Sequence, residues 1–335
     1  MTLQTAQHRA GAGFVFKTAL GAGLAMALAL ATSQGMAQTT YPTKPIRMIV
    51  PNAPGGPSDL LTRMIGPRFT EAWGQPVIAE NRAGATGLIA AEMVYKAPAD
   101  GHTMILMALT QLIGTLMHQK YMLLSDFAPV SMVGSTPFAI AVNPTVPVKN
   151  LAEWIAYAKA RPGELNYASS GNWGAAHLCM ESFNELAGIK LLHVPHPSTP
   201  AATTALMGSQ VHAFCPAGAS VATLAKTGKM RVLGVTYLKP TKLMPDTVPI
   251  ADTLPGYEML GWFGLETTKG TPPEVVNKIN AELTRILRTP EIAERMIGTG
   301  VEPATSTPAE FASFLQKESA RWGKFLKDRN AKAEE

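Results

Sequence analysis

One segment near the start of the chain limits the folds that it can adopt. The apolar run Ile46–Val50 has the length of a buried strand, and Pro54-Gly55-Gly56 predicts a tight turn after it. Ser58 and Asp59 then open a pattern at helical spacing. A strand that passes through a glycine turn into a helix points free backbone N–H groups into a crevice, where the helix dipole favours an anion. The segment therefore predicts an α/β fold with a place to hold a carboxylate.

Short apolar runs and helical patterns alternate along the rest of the chain. The first part is predicted to contain strands at 46–50, 77–80 and 103–107 and helices at 60–73 and 87–96. The middle part is predicted to contain strands at 138–142, 166–168, 190–194, 211–215 and 231–236 and helices at 151–160, 175–187 and 201–207. Helices at 272–288, 290–299 and 308–327 are predicted to end the chain. The strands show no apolar–polar alternation, which is typical of parallel strands buried on both faces.

This order predicts two open, mainly parallel α/β sheets, with the chain crossing between them near 137–141 and 237–242. The expected domain I comprises residues 38–140 and 241–335, and the expected domain II comprises residues 141–240. Ligands of open α/β sheets bind beyond the carboxyl ends of the strands, so two facing domains would enclose a ligand between them. Apolar positions in the last helix, among them Phe311 and Trp322, fall at helical spacing and are expected to pack in the core.

Residues 1–37 are predicted to be a secretory signal peptide. They contain Arg9 and Lys17 but no acidic residue, an apolar stretch at 19–31, and small residues before the expected cleavage after Ala37. The apolar stretch is shorter than the roughly 20 residues that span a bilayer, so a cleaved peptide is preferred over a retained anchor. Removing 37 of the 335 residues leaves 298, enough for two domains.

The charge of the exported chain favours a small anionic ligand. Without Arg9 and Lys17 the chain has 27 basic and 24 acidic residues, a net charge of +3. The basic residues are scattered, so nucleic acid is not an expected partner. No cofactor is expected, because the Gly55-Gly56 turn lacks the lysine of a nucleotide loop and residues 84–87 lack the spacing of a dinucleotide fingerprint.

The cysteines and histidines leave one question open and exclude one kind of site. Cys179 and Cys215 are exported together, so a disulfide is chemically permitted. Nothing in their spacing brings the two Cα atoms together, and a pair of buried free thiols is the preferred interpretation. His193 and His196 flank Val194-Pro195, a spacing unlike that of zinc ligands, and no metal site is expected.

Several motifs follow one another in a characteristic order over essentially the whole exported chain. They include Glu80-Asn81-Arg82-Ala83-Gly84 and Ala99-Asp100-Gly101. The matching segments are 44–59, 80–87, 96–103, 126–130, 166–171 and 270–272. This order resembles the Bug family, the extracytoplasmic solute receptors of tripartite tricarboxylate transporters.

The resemblance implies the periplasmic-binding-protein, or Venus flytrap, architecture with a ligand cleft between two α/β domains. It also implies a monomeric periplasmic receptor, not an enzyme, that hands a small carboxylate to the membrane subunits of a transporter. Family members hold the ligand with the first strand–helix loop and with facing loops of the second domain.

The expected ligand-binding residues come from both domains. From the first loop the resemblance implies Asn52, Pro54, Gly55, Gly56, Ser58 and Asp59. Asp59 is expected to cap the helix, because a second carboxylate beside the ligand would repel it. The predicted loop 108–111 adds Thr110 and Gln111, which would lie at the same sheet edge. The second domain adds Ser169, Ser170, Gly171, Asn172, Ser198 and Thr199. Trp173 is expected to cover a helix end rather than stack on an aromatic ligand.

Two departures from the family pattern bear on the ligand. Relatives commonly have Val-Pro-Tyr and a basic residue where this chain has Val194-Pro195-His196-Pro197, which argues against a tricarboxylate. Amino-acid-binding relatives tend to have an aspartate where this chain has Pro216. A dicarboxylate with an apolar middle, such as the aromatic terephthalate, fits these residues best.

An exported hydrolase is the alternative function. Ser169, Ser170 and His177 are residue types of nucleophilic catalysis, but Ser170-Gly171-Asn172-Trp173 is not a nucleophile elbow. No acidic residue is evidently placed to orient His177, which is expected to be a buried histidine with satisfied hydrogen bonds.

Overall fold

Strands and helices alternate through the first part of the chain. The structure, a computed structural model, describes residues 41–121, 123–218 and 224–331, so the predicted signal peptide lies outside the described residues. The first elements are β1 (Ile46–Val50), α1 (Pro57–Trp73), β2 (Val77–Asn81), a 3-10 turn (Ala85–Gly87), α2 (Leu88–Tyr95), β3 (Thr103–Ala108) and α3 (Leu109–His118). The prediction of a loop at 108–111 is wrong, because Ala108 is extended and α3 begins directly after it.

The middle and last parts of the chain follow the predicted order closely, with two long strands added. These elements are β4 (Phe127–Pro137), β5 (Ala139–Val142), α4 (Leu151–Lys159), β6 (Asn166–Ser169), α5 (Ala175–Ala187), β7 (Leu192–Pro195), α6 (Thr199–Met207), β8 (Ala213–Phe214), β9 (Arg231–Val235), β10 (Leu260–Thr268), α7 (Pro273–Leu287), α8 (Pro290–Gly298), β11 (Glu302–Pro303) and α9 (Pro308–Asp328). The sequence patterns did not predict β4 or β10.

Two mixed sheets organise the fold. The six-stranded sheet has the order β11-β4-β10-β3-β1-β2, and the five-stranded sheet has the order β7-β6-β8-β5-β9. We call β5–β9 with α4–α6 the second lobe and the remaining elements the first lobe. The α/β class is as predicted, and both sheets are mixed: most strands of each sheet run in one direction and a minority run against them. Within the first sheet, β10 runs antiparallel to both β3 and β4, and within the second sheet β5 runs antiparallel to β8 and β9.

The chain passes between the sheets close to the predicted points. β4 ends at Pro137 in the first sheet, and β5 begins at Ala139 in the second. The return lies after Val235, and Thr241 already contacts the first lobe through a 2.5 Å hydrogen bond from its hydroxyl to Glu302 Oε1.

The predicted apolar stripe of α9 packs in the core of the first lobe. Phe311 and Trp322 are buried, and the Phe311 ring meets Trp262 of β10 edge-on, with 6.1 Å between ring centroids. Phe311 also covers Gly264, where a Cβ would lie 2.0 Å from its ring. A glycine in the middle of β10 is therefore required by the close approach of α9.

A disulfide joins Cys179 of α5 to Cys215, directly after β8, with 6.2 Å between their Cα atoms. The preference for two free thiols is therefore wrong. Both cysteines are fully buried, because the helix packs on the sheet at this point. In the part of the chain that the structure describes, no helix is long and apolar enough to span a membrane.

Candidate ligand-binding site

Four strand–helix connections bring polar groups to the carboxyl ends of parallel strands. β1 and β3 are parallel neighbours and lead into α1 and α3. β6 and β7 are parallel neighbours in the other sheet and lead into α5 and α6. The carboxyl ends of neighbouring parallel strands meet at one sheet edge, which is where open α/β folds bind ligands.

The first loop, residues 51–59, is braced by Asp59. Its buried carboxylate accepts hydrogen bonds from Gly55 N–H (2.9 Å), Arg63 Nε (2.9 Å) and Asn81 Nδ2 (2.9 Å). Burial opposes ionisation of Asp59, but these hydrogen bonds outweigh it and hold the pKa of the carboxyl below its usual range. Asp59 thus braces the loop from the first turn of α1. It does not cap the helix as expected, because Gly56 is the N-cap residue and no side chain caps α1.

Several donors of the first loop remain for another partner. The Gly55 amide is engaged by Asp59, and α1 begins with Pro57, which has no N–H. Gly56 is the residue before the helix, so its amide and those of Ser58 and Asp59 are the backbone N–H groups that the helix leaves without internal partners. Among these predicted residues, Asn52 and Gly56 are half-buried, Ser58 is buried, and Pro54 and Gly55 are exposed.

Thr110 and Gln111 lie in the first turn of α3. Thr110 is half-buried, whereas Gln111 is 3 % exposed, and its Oε1 has no hydrogen-bond partner among the described residues. A Cβ on Gly87 would lie 2.6 Å from Gln111 Cγ and 3.2 Å from Pro51 Cβ. Gly87 therefore lets the start of α3 pack closely against the first loop.

The second-lobe loop, residues 169–174, is held partly by its own side chains. Ser169 is fully buried, and its hydroxyl contacts His193 Nε2 (2.6 Å), Gly171 O (2.9 Å) and Gly171 N (3.2 Å). The Ser169 hydroxyl, which was predicted to bind ligand, is used within the loop in this structure. Ser170 and Gly171 are half-buried and Asn172 is exposed.

Ser198 and Thr199 begin α6. The Ser198 hydroxyl oxygen accepts a hydrogen bond from Ala201 N–H (3.3 Å) and so caps the helix. Ser198 is exposed and Thr199 is half-buried. The capping hydroxyl keeps its hydrogen available, because it acts as the acceptor in this bond.

A cavity of about 150 Å³ lies between the two lobes. Its lining residues are Thr86, Thr110, Ile113, Gly114, Met117, His118, Asn172, Trp173 and Gly174. Thr110 and Asn172 are the predicted site residues that line it; the first loop, Gln111, Ser169, Ser170, Gly171, Ser198 and Thr199 are outside this lining. Gly114 gives α3 its close approach to the 3-10 turn, since a Cβ there would lie 2.9 Å from Thr86 Cβ.

The sequence patterns missed several of the cavity's residues. Ile113, Met117 and His118 lie on α3, which the patterns did not predict as a helix. The apolar residues Leu109, Leu112, Ile113 and Leu116 recur at helical spacing and were the available signal. Trp173 was expected to cover a helix end, and it lines the cavity at that end.

Comparison with known proteins identifies the family. The model of the tripartite tricarboxylate transporter family receptor matches residues 61–331. The chain belongs to this receptor family. The receptor is 31% identical to protein BugT of Bordetella pertussis over 298 residues, which cover 88% of this chain and 91% of BugT.

Solved structures share the receptor's fold. Rpa4515 of Rhodopseudomonas palustris, solved with adipate, is 31% identical and superposes with a TM-score of 0.71 over 86% of this chain and 97% of its own. MatC from the same organism, solved with bound malate, is 29% identical, with a TM-score of 0.69 over 85% and 99% of the two chains. These likenesses establish the periplasmic-binding-protein architecture. Among the described residues, no group of three or more His, Cys, Asp or Glu side chains is placed to hold a metal ion.

Proposed function

We propose that the receptor works in the periplasm, binds a small dicarboxylate between its two lobes and delivers it to the membrane subunits of a tripartite tricarboxylate transporter. The proposal includes removal of residues 1–37 and domain boundaries at 140/141 and 240/241. It rests on the family, on relatives solved with the dicarboxylates adipate and malate, and on the character of the interlobe cavity.

The observation that carries the proposal is that helix N-termini from both lobes border one cavity. Thr110 is the second residue of α3, and Gly174 is the residue directly before α5. Free amides and the helix dipole make each of these ends favourable for negative charge. A ligand with a carboxylate at each end matches two such ends that belong to opposite lobes.

The charge of the cavity favours dicarboxylates over citrate and amino acids. None of the described residues that line it is Lys, Arg, Asp or Glu. Among these described residues only His118 can carry a positive charge, which is less than a tricarboxylate would need, and none is an acidic partner for an ammonium group. Ile113, Met117 and Trp173 instead offer apolar contact to the middle of the ligand, which suits an alkyl chain or an aromatic ring such as that of terephthalate.

Hydrolase chemistry is not favoured by the placement of the serines and histidines. The contact between Ser169 Oγ and His193 Nε2 has the geometry of a nucleophile and its base. Ser169 is nevertheless 0 % exposed, so a substrate carbonyl cannot reach it. His177 Nδ1 accepts the Trp173 N–H and is not directed at a serine.

A ligand screen tests the proposed function. Adipate, succinate and terephthalate are compared with citrate and glutamate by thermal shift of the purified exported chain. A ligand present at about 100 times its dissociation constant stabilises the folded state by roughly 2.7 kcal/mol. We expect dicarboxylates to raise the melting temperature; a larger effect of citrate or glutamate would contradict the proposal.

Thr110→Val is expected to weaken dicarboxylate binding about ten- to a hundredfold without unfolding the receptor. A hydrogen bond to a charged carboxylate contributes roughly 1.5 to 3 kcal/mol, and valine keeps the shape of threonine. Thr284→Val on α7 is the matched control, because Thr284 is also half-buried on a helix but does not line the cavity. Calorimetric titration of both variants decides the point; equal affinities would exclude Thr110 from the site.

A further inference from the structure

Trp173 adopts a backbone conformation that few large residues tolerate. Its φ angle is 56°, in the left-handed region that glycine occupies readily and that costs other residues free energy. Trp173 lines the interlobe cavity next to Asn172 and Gly174. A strained residue at such a place needs an interaction that holds it there.

His177 supplies that interaction in two ways. Its Nδ1 accepts a hydrogen bond of 2.9 Å from the Trp173 backbone N–H. Its ring also contacts the Trp173 ring in a tilted arrangement, with 5.0 Å between the ring centroids and 49° between the planes. The backbone and the side chain of Trp173 are therefore both fixed by one residue, which lies in the first turn of α5.

His177 is itself locked in place. It is 6 % exposed, and its ring stacks on His193 with 3.9 Å between centroids and 9° between planes. His193 in turn contacts Ser169, so the two histidines brace both ends of the 169–174 loop.

The protonation state of His177 follows from the same geometry. Because a backbone N–H can only donate, Nδ1 must be bare, and the neutral ring carries its proton on Nε2. Burial, with smaller effects of His193 and Arg329, lowers the pKa of His177 to about 3. Burial also lowers the pKa of His193, although the charge of Glu181 acts to raise it. Glu181 does not contribute to the shift at His177. The acceptor is therefore present throughout the neutral range.

We infer that His177 is a positioning residue of the ligand site, which acts through Trp173 to fix the second-lobe wall of the cavity and thereby sets which dicarboxylates fit. This inference rests on the proposed function for its ligand. The part of the inference that concerns the contacts between His177 and Trp173 can be tested without a ligand.

Two substitutions separate the acceptor from the ring. His177→Asn places Oδ1 where Nδ1 stands and keeps the acceptor, whereas His177→Phe keeps an aromatic ring and removes the acceptor. If His177→Phe does not fold, His177→Gln replaces it, because its carbonyl lies one atom further from the backbone. Amide hydrogen exchange of the segment 170–176 is measured without ligand, and affinities for succinate, adipate and terephthalate are measured by calorimetry.

We expect slow exchange at the Trp173 amide in the wild type and in His177→Asn, and fast exchange in His177→Phe. The affinity for the preferred dicarboxylate is expected to fall about tenfold in His177→Phe, the loss of one hydrogen bond, and to be largely retained in His177→Asn. Trp173→Ala should reduce the differences in affinity between the three ligands.

Unchanged exchange and affinity in His177→Phe would overturn the inference, as would equal losses in both His177 variants. If the wild type binds none of the dicarboxylates, the proposed function fails. Hydrogen exchange at the Trp173 amide then tests by itself whether His177 fixes the loop.

Discussion

Replacing both Cys179 and Cys215 by alanine is expected to lower the free energy of unfolding by about 4 kcal/mol. The disulfide closes a loop of 36 residues, and the chain-entropy relation for a loop of that length gives this magnitude. It ties α5 to the sheet strand before Cys215 in the second lobe, whose sheet is the smaller of the two. The effect is large compared with the typical stability of a folded domain.

Urea unfolding of the wild type and the double alanine variant, each with and without reductant, measures this contribution. Reductant should bring the wild type close to the variant and should leave the variant unchanged. A variant as stable as the oxidised wild type would show that the cross-link does not stabilise the receptor.

Glu266→Gln is expected to stabilise the receptor at neutral pH. Glu266 lies on β10 between Ile105 of β3 and Pro129 of β4, and it is 0 % exposed. Neither carboxyl oxygen has a hydrogen-bond partner among the described residues. Burial raises the pKa of this carboxyl well above its usual range, so the folded receptor holds the proton that the unfolded chain releases.

The sign of the pH dependence follows from this difference. As the pH rises above the unfolded value of about 4.5, the wild type loses up to about 1.4 kcal/mol of stability per pH unit through Glu266. The Glu266→Gln variant does not lose stability in this way, because glutamine does not ionise. The advantage of the variant should therefore be smallest near pH 4.5 and grow toward pH 7.

Glu80→Gln is the matched control with the opposite expected sign. Hydrogen bonding to Arg47, with Nε 2.6 Å from Oε1, lowers the pKa of Glu80 despite its partial burial. The interaction stabilises the folded state at pH values above the pKa that Glu80 has in the unfolded chain. This stabilisation is lost as the pH falls through the lower pKa of the folded state, so Glu80→Gln should destabilise the receptor at pH 7. Denaturation curves of both variants from pH 4 to 8 test the account. A Glu266→Gln variant that is less stable than the wild type at pH 7 would contradict it.

Local signals in the sequence are sufficient for most of the elements but not for β4, β10 and α3. In β10, Gly261 and Gly264 interrupt the apolar run and Glu266 adds a charge, all of which argue against a buried strand. The fold tolerates them for reasons that lie far away in the chain, such as the Phe311 ring against Gly264. Before α3 there is no capping side chain, because Ala108 passes directly from strand to helix.

The candidate site also contains contacts that local sequence predicts and contacts that it does not. In the first loop the interaction between Asp59 and the Gly55 amide follows from local spacing, whereas the hydrogen bond from Asn81 to Asp59 joins residues that are distant in sequence. The Ser169 hydroxyl is engaged by His193, which is distant in sequence. The two residues meet because β6 and β7 pair in parallel with Tyr167 opposite His193. Sequence patterns do not give the register of β6 and β7. They therefore cannot distinguish a serine hydroxyl that is buried in the loop from one that donates to a ligand.

The central proposal is that the receptor captures a dicarboxylate between two lobes, each of which contributes one end of the binding site. A ligand that contacts both lobes favours the conformation in which they are close together. Small-angle X-ray scattering of the exported chain, free and saturated with the dicarboxylate that gives the largest thermal shift, measures this directly. A smaller radius of gyration in the saturated receptor, with citrate at the same concentration giving no change, is the predicted result. An identical radius of gyration with and without the bound dicarboxylate would contradict closure of the lobes on the ligand.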